Sequence, residues 1–330
     1  MNANYDIARN HTALVDLANE GRIRVSGADA EQALNACFSM DLEIVLPWKG
    51  VSGLFLDEQA RLLAIATVFK GEDEYFVFTE AASAAHLLEH LSARLAGADA
   101  ELEDLSKNYG WICLLGPNAQ SAVAQFAGED ALGLPYMGFE ENSKLGSKLF
   151  RMGFCGEFEY RLLCPLERLQ EMTAGFVEDG EAFGVRKIEP EVMSLLMLEM
   201  RSLGIADIPR DADPIQAGLH WMVNFRKDGY PGRDAVHAAK SQPRSRSLML
   251  LLNKAGVAKQ GDRIRIEGKD CGFLARVEYS PTLERDIALA YADPEFGWVG
   301  VSFTTVGENG SAHAKGVSAP LFVTKTVSRA

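Results

Sequence analysis

The sequence predicts an α+β fold, and two observations carry that prediction. Helix and strand signals alternate without a strict strand–helix–strand rhythm, which disfavours a doubly wound parallel sheet. From about residue 245 the texture changes to short strands punctuated by Gly, Pro and Asn, a spacing typical of a small sandwich or barrel. The polar segment 237–247 contains a proline and is the best boundary, so we expect a mixed α/β core over 1–240 and a β domain over 241–330.

The predicted core elements follow from hydrophobic periodicity. Strands are expected at 21–27, within 50–80 around turns at 57–58 and 71–73, at 109–117, and as a hairpin over 148–165. Helices are expected at 28–38, 81–97, 118–128, 166–180 and 195–204. In the second domain we expect strands at 247–254, 262–268, 272–280, 286–292, 297–303 and 320–327.

Charge and composition exclude several classes of partner. The formal charge of −13 argues against nucleic acid or an anionic membrane as the main partner. No apolar run approaches the roughly 18 residues of a membrane span, and the first residues do not resemble a secretory signal. Five cysteines without a C-x-x-C spacing fit reduced thiols, so we expect a cytoplasmic protein. The basic stretch 240–270 reads either as a solvated strand face or as a dock for an anionic ligand tail.

The sequence gives little support for metal binding, nucleophilic catalysis or nucleotide binding. The sequence "HLLEH" at 86–90 could place two histidines on one helix face for zinc, but a surface helix explains it better and we expect no metal. No nucleophile elbow, phosphate-binding loop or dinucleotide fingerprint is present. Cys155 lacks a basic neighbourhood, which favours a small buried side chain over a nucleophile.

Two segments of the sequence can be explained either by structural packing or by ligand binding. In "LLMLEMRSLG", residues 195–204, Glu199 interrupts an apolar run and is either solvated or paired with a cationic or amidine-like partner. In 214–236 aromatic and cationic residues interleave, as they would around a planar ring bearing a carboxylate, or in a half-buried loop.

Six segments in order give the chain a resemblance to a known family. They are "LVDLANEGRIRVSGADAEQALN", "LLGPNAQ", "RMGFCGEFEYRLLCP", "LLMLEM", "DPIQAGLHWMVNFRKDGYPGRDAV" and "CGFLARVEYSPTLERDIALAYA". In this order and at these intervals they resemble the glycine-cleavage T-protein (aminomethyltransferase) family of folate-binding proteins. The resemblance implies a core of two intertwined α/β subdomains followed by a C-terminal β-barrel, with tetrahydrofolate as the cofactor.

The resemblance also implies a binding site. It places Glu199 on the family's folate-binding glutamate, where a carboxylate would accept the paired N–H groups of a pterin. It places Lys227 where a cation would meet the carboxylate end of folate, and it makes Trp221, Tyr230 and Tyr160 candidates for lining the slot.

One departure from the family narrows the function. The family carries an Asp-Asp pair with an acid–base role, whereas this chain has Leu63 and Ala64 at the matching place, so no catalytic residue is assigned. A sulfonium or ammonium donor leaves as a neutral group and needs no general base to release its methyl group. We therefore expect a tetrahydrofolate-binding methyl or aminomethyl transferase, acting on a small methyl donor or amine, that is not a true glycine-cleavage T-protein.

The alternative is a non-catalytic folate-binding accessory protein, which would act through a partner protein. A branch linked to iron–sulfur enzyme maintenance carries K-G-C-Y-x-G-Q-E in the loop that here runs from Lys227 to Asp234. The two sequences align there without a gap, but Gly229 replaces the cysteine.

Overall fold

The structure is a computed structural model that describes residues 3–329 and contains two sheets. Eleven strands form a mixed sheet and six strands close into a barrel, so the predicted α+β class with a C-terminal β-barrel is confirmed. The strands of the large sheet are β1 Thr12–Asp16, β2 Gly21–Ser26, β3 Lys49–Leu56, β4 Leu62–Lys70, β5 Glu74–Thr79, β6 Glu101–Asp104, β7 Tyr109–Leu115, β8 Gly138–Asn142, β9 Ser147–Arg151, β10 Glu159–Pro165 and β11 Val185–Ile188.

Eight α-helices pack around the two sheets in the described part of the chain. They are α1 Ala3–Asn10, α2 Ala30–Asn35, α3 Ala81–Arg94, α4 Ala119–Ala127, α5 Leu169–Asp179, α6 Glu191–Met200, α7 Arg233–Ser241 and α8 Lys325–Arg329. The predicted helix at 195–204 starts four residues earlier and ends at Met200, because Arg201 turns into the left-handed conformation with φ of 58°.

The large sheet runs in the order β11-β1-β7-β10-β9-β8-β3-β4-β5-β2-β6. Its described pairs are antiparallel except for β1 with β11. The predicted turns at 57–58 and 71–73 lie between β3, β4 and β5, and the predicted hairpin is the antiparallel pair of β9 and β10. The connections from β3 to β4, from β4 to β5 and from β9 to β10 are short, as antiparallel pairing allows.

An aromatic cluster fills the middle of this sheet. Phe78 stacks on Trp111 with ring centroids 4.3 Å apart, and Phe150 meets both rings edge to face. Offset stacking and edge-to-face contacts add to the hydrophobic stabilisation of large buried rings. These three rings come from β5, β7 and β9, which are not neighbours in the sheet, so the cluster packs distant strands of the sheet against each other.

The barrel strands are β12 Arg246–Leu252, β13 Arg263–Ile266, β14 Lys269–Ser280, β15 Arg285–Ala292, β16 Ser302–Gly307 and β17 Gly310–Val317. The strand predicted at 320–327 is wrong, because those residues form a loop followed by α8. The sixth strand is instead β17, which pairs with both β12 and β16. Its inward residues Ala312 and Ala314 are too small to give a strong strand signal, but they fit the crowded inside of a six-stranded barrel.

Candidate functional site

A cavity of about 120 Å³ lies where β4, β5 and β10 meet the segment after α6. We call it the central cavity. Its charged lining residues are Glu20, Glu80 and Arg161, and aromatic walls come from Phe78, Phe154 and Trp221. Apolar walls with a few convergent polar groups are the usual make-up of small-molecule sites.

Two further cavities adjoin the central one. The Met200 cavity, about 480 Å³, shares Phe154, Ser202 and Trp221 with it. The Asp207 cavity, about 380 Å³, shares Glu20, Glu80 and Ser202 with it. Ser202 lines all three, so the cavities meet at the residues that follow α6.

Glu80, like Glu20, lines both the central and the Asp207 cavity. It stands directly before α3, where a side chain often caps the helix, but its side chain makes no capping hydrogen bond. Instead its Oε1 accepts the backbone N–H of Ile205 at 2.5 Å. Burial raises the pKa of Glu80 to about 7, the Ile205 N–H opposes that rise, and the charges of Asp207 and Glu20 add to it.

Glu20 and Arg161 form the charged floor of the central cavity. Arg161 Nη1 lies 2.5 Å from Glu20 Oε2, and Arg161 Nε donates to Glu159 at 2.8 Å. The Trp111 indole N–H also donates to Glu20 at 3.0 Å. Burial raises the pKa of Glu20 despite these donors, whereas the two carboxylates overcome the effect of burial and raise the pKa of Arg161.

Glu199 faces away from the cavities. Its exposed fraction is 0%, and it accepts hydrogen bonds from Tyr5, Arg9 and Ser280 at 2.7, 2.6 and 2.6 Å. Two residues along an α-helix turn it by about 200°, so Glu199 lies nearly opposite Met197, which does line the central cavity. The acid that interrupts the apolar run is therefore paired with a cation, and that cation belongs to α1.

Lys227 is buried and donates hydrogen bonds to the backbone of the loop that follows α2. Its ammonium donates to the carbonyl oxygens of Asn35, Phe38 and Met40 and to the Asn35 side chain. Burial lowers the pKa of Lys227 to about 8, although Asp41 partly opposes that shift. The ammonium protons of Lys227 are used in hydrogen bonds to this loop. Lys227 does not line the central, Met200 or Asp207 cavity.

The three aromatic candidates have different surroundings. Trp221 is 57% exposed and lines both the central and the Met200 cavity. Tyr160 is fully buried among the residues that pack under α4 and α5, and Tyr230 is buried between the core and the barrel. Of the five residues expected at the ligand, the structure places Trp221 at the connected cavities and the other four away from them.

The structure also locates the place where the family's acid pair is missing. Ala64 is fully buried on the α3 side of β4, whereas Ile65, Ala66 and Thr67 form the part of β4 that lines the central cavity. None of these residues is an acid. In the described residues 3–329, no three His, Cys, Asp or Glu side chains come together as a metal site, and the Cys155 thiol is buried with its pKa raised by that burial.

Reasoning from the sequence missed Glu20 and Glu80. Each acid directly follows a largely apolar strand or turn, in "LVDLANE" and "YFVFTE". Polar residues at strand ends are frequent at binding sites because the strands hold them rigidly, and this signal could have identified both.

The fold and its adjoining cavities define a class of protein with a mixed α/β core, a C-terminal barrel and a group of cavities between strands and α6. The family model of the GCVT N-terminal domain matches residues 1–227, and that of the glycine cleavage T-protein C-terminal barrel domain matches residues 246–322. The chain therefore belongs to the glycine-cleavage T-protein family, as the resemblance implied.

Similar proteins support this membership along almost the whole chain. An aminomethyltransferase of Streptomyces coelicolor is 28% identical over 92% of this chain and 84% of its own length. Another, of Mycobacterium avium, is 28% identical over 97% of this chain and 88% of its own length. The crystal structure of glycine cleavage system aminomethyltransferase T from Bartonella henselae has the same fold, with a TM-score of 0.89 and 20% identity over 97% of this chain and 89% of that one.

No helix in residues 3–329 is both long and apolar enough to cross a membrane.

Proposed function

We propose that this chain binds tetrahydrofolate in the connected cavities around Ser202 and transfers a one-carbon group to it. The observation that carries the proposal is the junction of three cavities at Ser202 in a chain of the T-protein family. Two large cavities that meet at a smaller one give a cofactor and a one-carbon donor separate approaches to the same point.

The residues present fit a folate. Trp221 and Phe154 border both the central and the Met200 cavity and offer flat faces on which a pterin can stack. Glu20 and Glu80 offer carboxylate oxygens to the ring N–H groups. A bound folate supplies the amine that receives the one-carbon group, and these residues bind and orient it.

The folate-binding role of Glu199 remains a prediction that requires a rearrangement. Arg9 donates to one oxygen of Glu199, and Tyr5 and Ser280 donate to the other. Arg9 and Tyr5 both belong to α1, so a pterin could bind there only after α1 moved. We favour a supporting role, in which the pair of Arg9 and Glu199 fixes α6 and thereby places Met197 and Ser202 at the cavity.

The donor that we propose is a small sulfonium or ammonium compound. The β4 residues at the cavity, Ile65 to Thr67, include no acid that could orient a lipoyl-bound amine in the way the family's Asp pair does. A cationic donor leaves as a neutral molecule, so the leaving group needs no protonation. Glu20 is already paired with Arg161, so Glu80 is the acid of this lining that favours a cation.

A folate-binding accessory protein is the second candidate. The missing acid on β4 supports this reading as well, because a protein without turnover has no need of that group. The loop from Lys227 to Asp234 resembles that of the accessory branch but lacks its cysteine, which favours the transferase.

Two measurements, of folate binding and of product formation, distinguish the transferase from the accessory protein. Tetrahydrofolate binding is followed anaerobically by calorimetric titration, and product formation is followed with trimethylsulfonium, sarcosine and dimethylglycine as donors. Binding together with formation of 5-methyltetrahydrofolate supports the transferase. Binding without product from this panel supports the accessory role, and no binding at any pH from 6 to 8 contradicts both.

A further inference from the structure

Glu80 directly follows β5, beside the part of β4 that lines the central cavity and carries no acid. Ala66 of β4 pairs with Thr79 of β5, so in this antiparallel register the next residues, Ile65 and Glu80, face each other. The Thr79 hydroxyl donates to the carbonyl oxygen of Ile65 at 2.8 Å and fixes this end of the pair. The cavity-lining part of β4 carries no acid, but a carboxylate lies beside it at the end of β5.

The geometry leaves one oxygen of Glu80 available. Oε1 accepts from Ile205, which is the only hydrogen bond of the Glu80 side chain among residues 3–329 of the structure. Oε2 lies beside Gly204, where an added Cβ would stand 2.8 Å from it. Gly204 also lines the central cavity, so the missing side chain leaves room for Oε2 at the cavity wall.

Burial raises the pKa of Glu80 most, and two neighbouring carboxylates raise it further. Glu20 faces it from the turn after β1, and Asp207 faces it from the segment after α6. The nearby cations are already paired, Arg161 with Glu20 and Arg276 with Asp207 at 3.1 Å. Glu80 is therefore a half-buried acid next to other acids, and the structure of residues 3–329 gives it no ion pair.

We propose that Glu80 is the catalytic proton acceptor of this cavity, taking the proton that the acceptor amine releases when it gains a one-carbon group. A bond forms from the amine nitrogen to the carbon, and the bond from that carbon to the donor heteroatom breaks, with its electron pair leaving on the donor. The N–H bond then breaks, its electron pair stays on nitrogen, and the proton passes to Glu80 Oε2. A base whose pKa lies near the working pH is effective in such a step.

This inference rests on the proposed function, because it assigns the acceptor amine to tetrahydrofolate. It goes further by naming the residue that touches that amine, and it therefore predicts a dependence on the N–H itself. Tetrahydrofolate has an N–H at N5, whereas 5-methyltetrahydrofolate carries a methyl group there and cannot donate to Glu80.

The test compares the binding of these two folates to the full chain and to Glu80→Gln, with Glu58→Gln as the matched control. Glu58 is a surface acid paired with Arg94 at 2.9 Å, so its loss removes the same charge outside the cavity. We expect Glu80→Gln to weaken tetrahydrofolate binding about tenfold at pH 8 and to change 5-methyltetrahydrofolate binding less than threefold, as a charged hydrogen bond worth about 1.4 kcal/mol requires. Wild-type affinity for tetrahydrofolate should rise between pH 6 and pH 8, and that rise should vanish in Glu80→Gln.

The outcomes distinguish the two proposals. Equal losses for both folates, or the same pH profile in Glu80→Gln and wild type, would overturn the role of Glu80 while leaving folate binding intact. No binding of either folate by the wild-type chain would overturn the proposed function itself. If Glu80→Gln does not fold, Gly204→Ala places a methyl group against Oε2 and should give the same selective loss.

Discussion

The Arg9 guanidinium lies 2.6 Å from a carboxylate oxygen of Glu199, and both side chains are buried. Arg9 also donates to the carbonyl oxygen of Cys155 at 2.7 Å, so a single side chain of α1 holds α6 and the turn between β9 and β10. Burial by itself lowers the pKa of Arg9, but the charge of Glu199 reverses the shift and raises it. The pair anchors the helix that carries Met197 to the cavity.

We expect Glu199→Gln to lower the free energy of unfolding by about 3 kcal/mol, because the buried Arg9 charge loses its nearer carboxylate and keeps only Glu157 at 3.4 Å. Urea unfolding monitored by circular dichroism measures this change. Adding Arg9→Met to Glu199→Gln should recover part of the loss, since the buried cation is then removed and Glu157 keeps its two donors on Thr326. If the single variant is as stable as wild type, the buried pair does not anchor α6.

Stability should depend on the pH through Glu80. Its folded-state pKa of about 7 lies above its ordinary value of 4.5, so the folded chain binds more protons than the unfolded chain between these pH values. The contribution of Glu80 is therefore complete below about pH 4.5 and is lost as the pH rises through 7. Relative to Glu80→Gln, the wild type should lose about 3 kcal/mol between pH 5 and pH 8, measured by unfolding at both. A constant difference between the two proteins would contradict this linkage.

Lys227 should stabilise the loop that follows α2 rather than a ligand. We expect Lys227→Met to lower the free energy of unfolding by about 2–4 kcal/mol, because the buried carbonyl oxygens of Asn35, Phe38 and Met40 lose their donor. Hydrogen exchange should accelerate in residues 36–46 before the rest of the sheet. If hydrogen exchange in this loop stays slow in Lys227→Met and folate affinity falls, Lys227 binds the ligand instead of stabilising the loop.

We expect Trp221 to contribute to ligand binding but not to the stability of the fold. Because its side chain is 57% exposed, Trp221→Ala should change the free energy of unfolding by less than about 0.5 kcal/mol. It should weaken tetrahydrofolate binding about tenfold, as loss of a stacking face worth about 1.4 kcal/mol requires. Trp298 is 53% exposed on the barrel, so calorimetric titration of Trp298→Ala is the control and should match wild type.

The sequence by itself determined the fold class, most of the strands and helices, and the order of family segments. These follow from local patterns: periodicity marks β2 and α3, turn residues separate β3 from β4, and glycine and proline punctuate the barrel. It failed at β17, where Gly and Ala give a weak strand signal and only the closure of the barrel selects the extended conformation.

The tertiary structure alone decided which acids face the cavity. The sequence identified Glu199 as unusual, but whether it meets a ligand depends on the rotation of α6 and on a partner 190 residues away in α1. Glu80 looked like an ordinary strand end until the pairing of β4 with β5 and the backbone at Ile205 surrounded it. Both outcomes depend on contacts between distant segments, which fix the burial and pKa of a carboxylate and which no local pattern encodes.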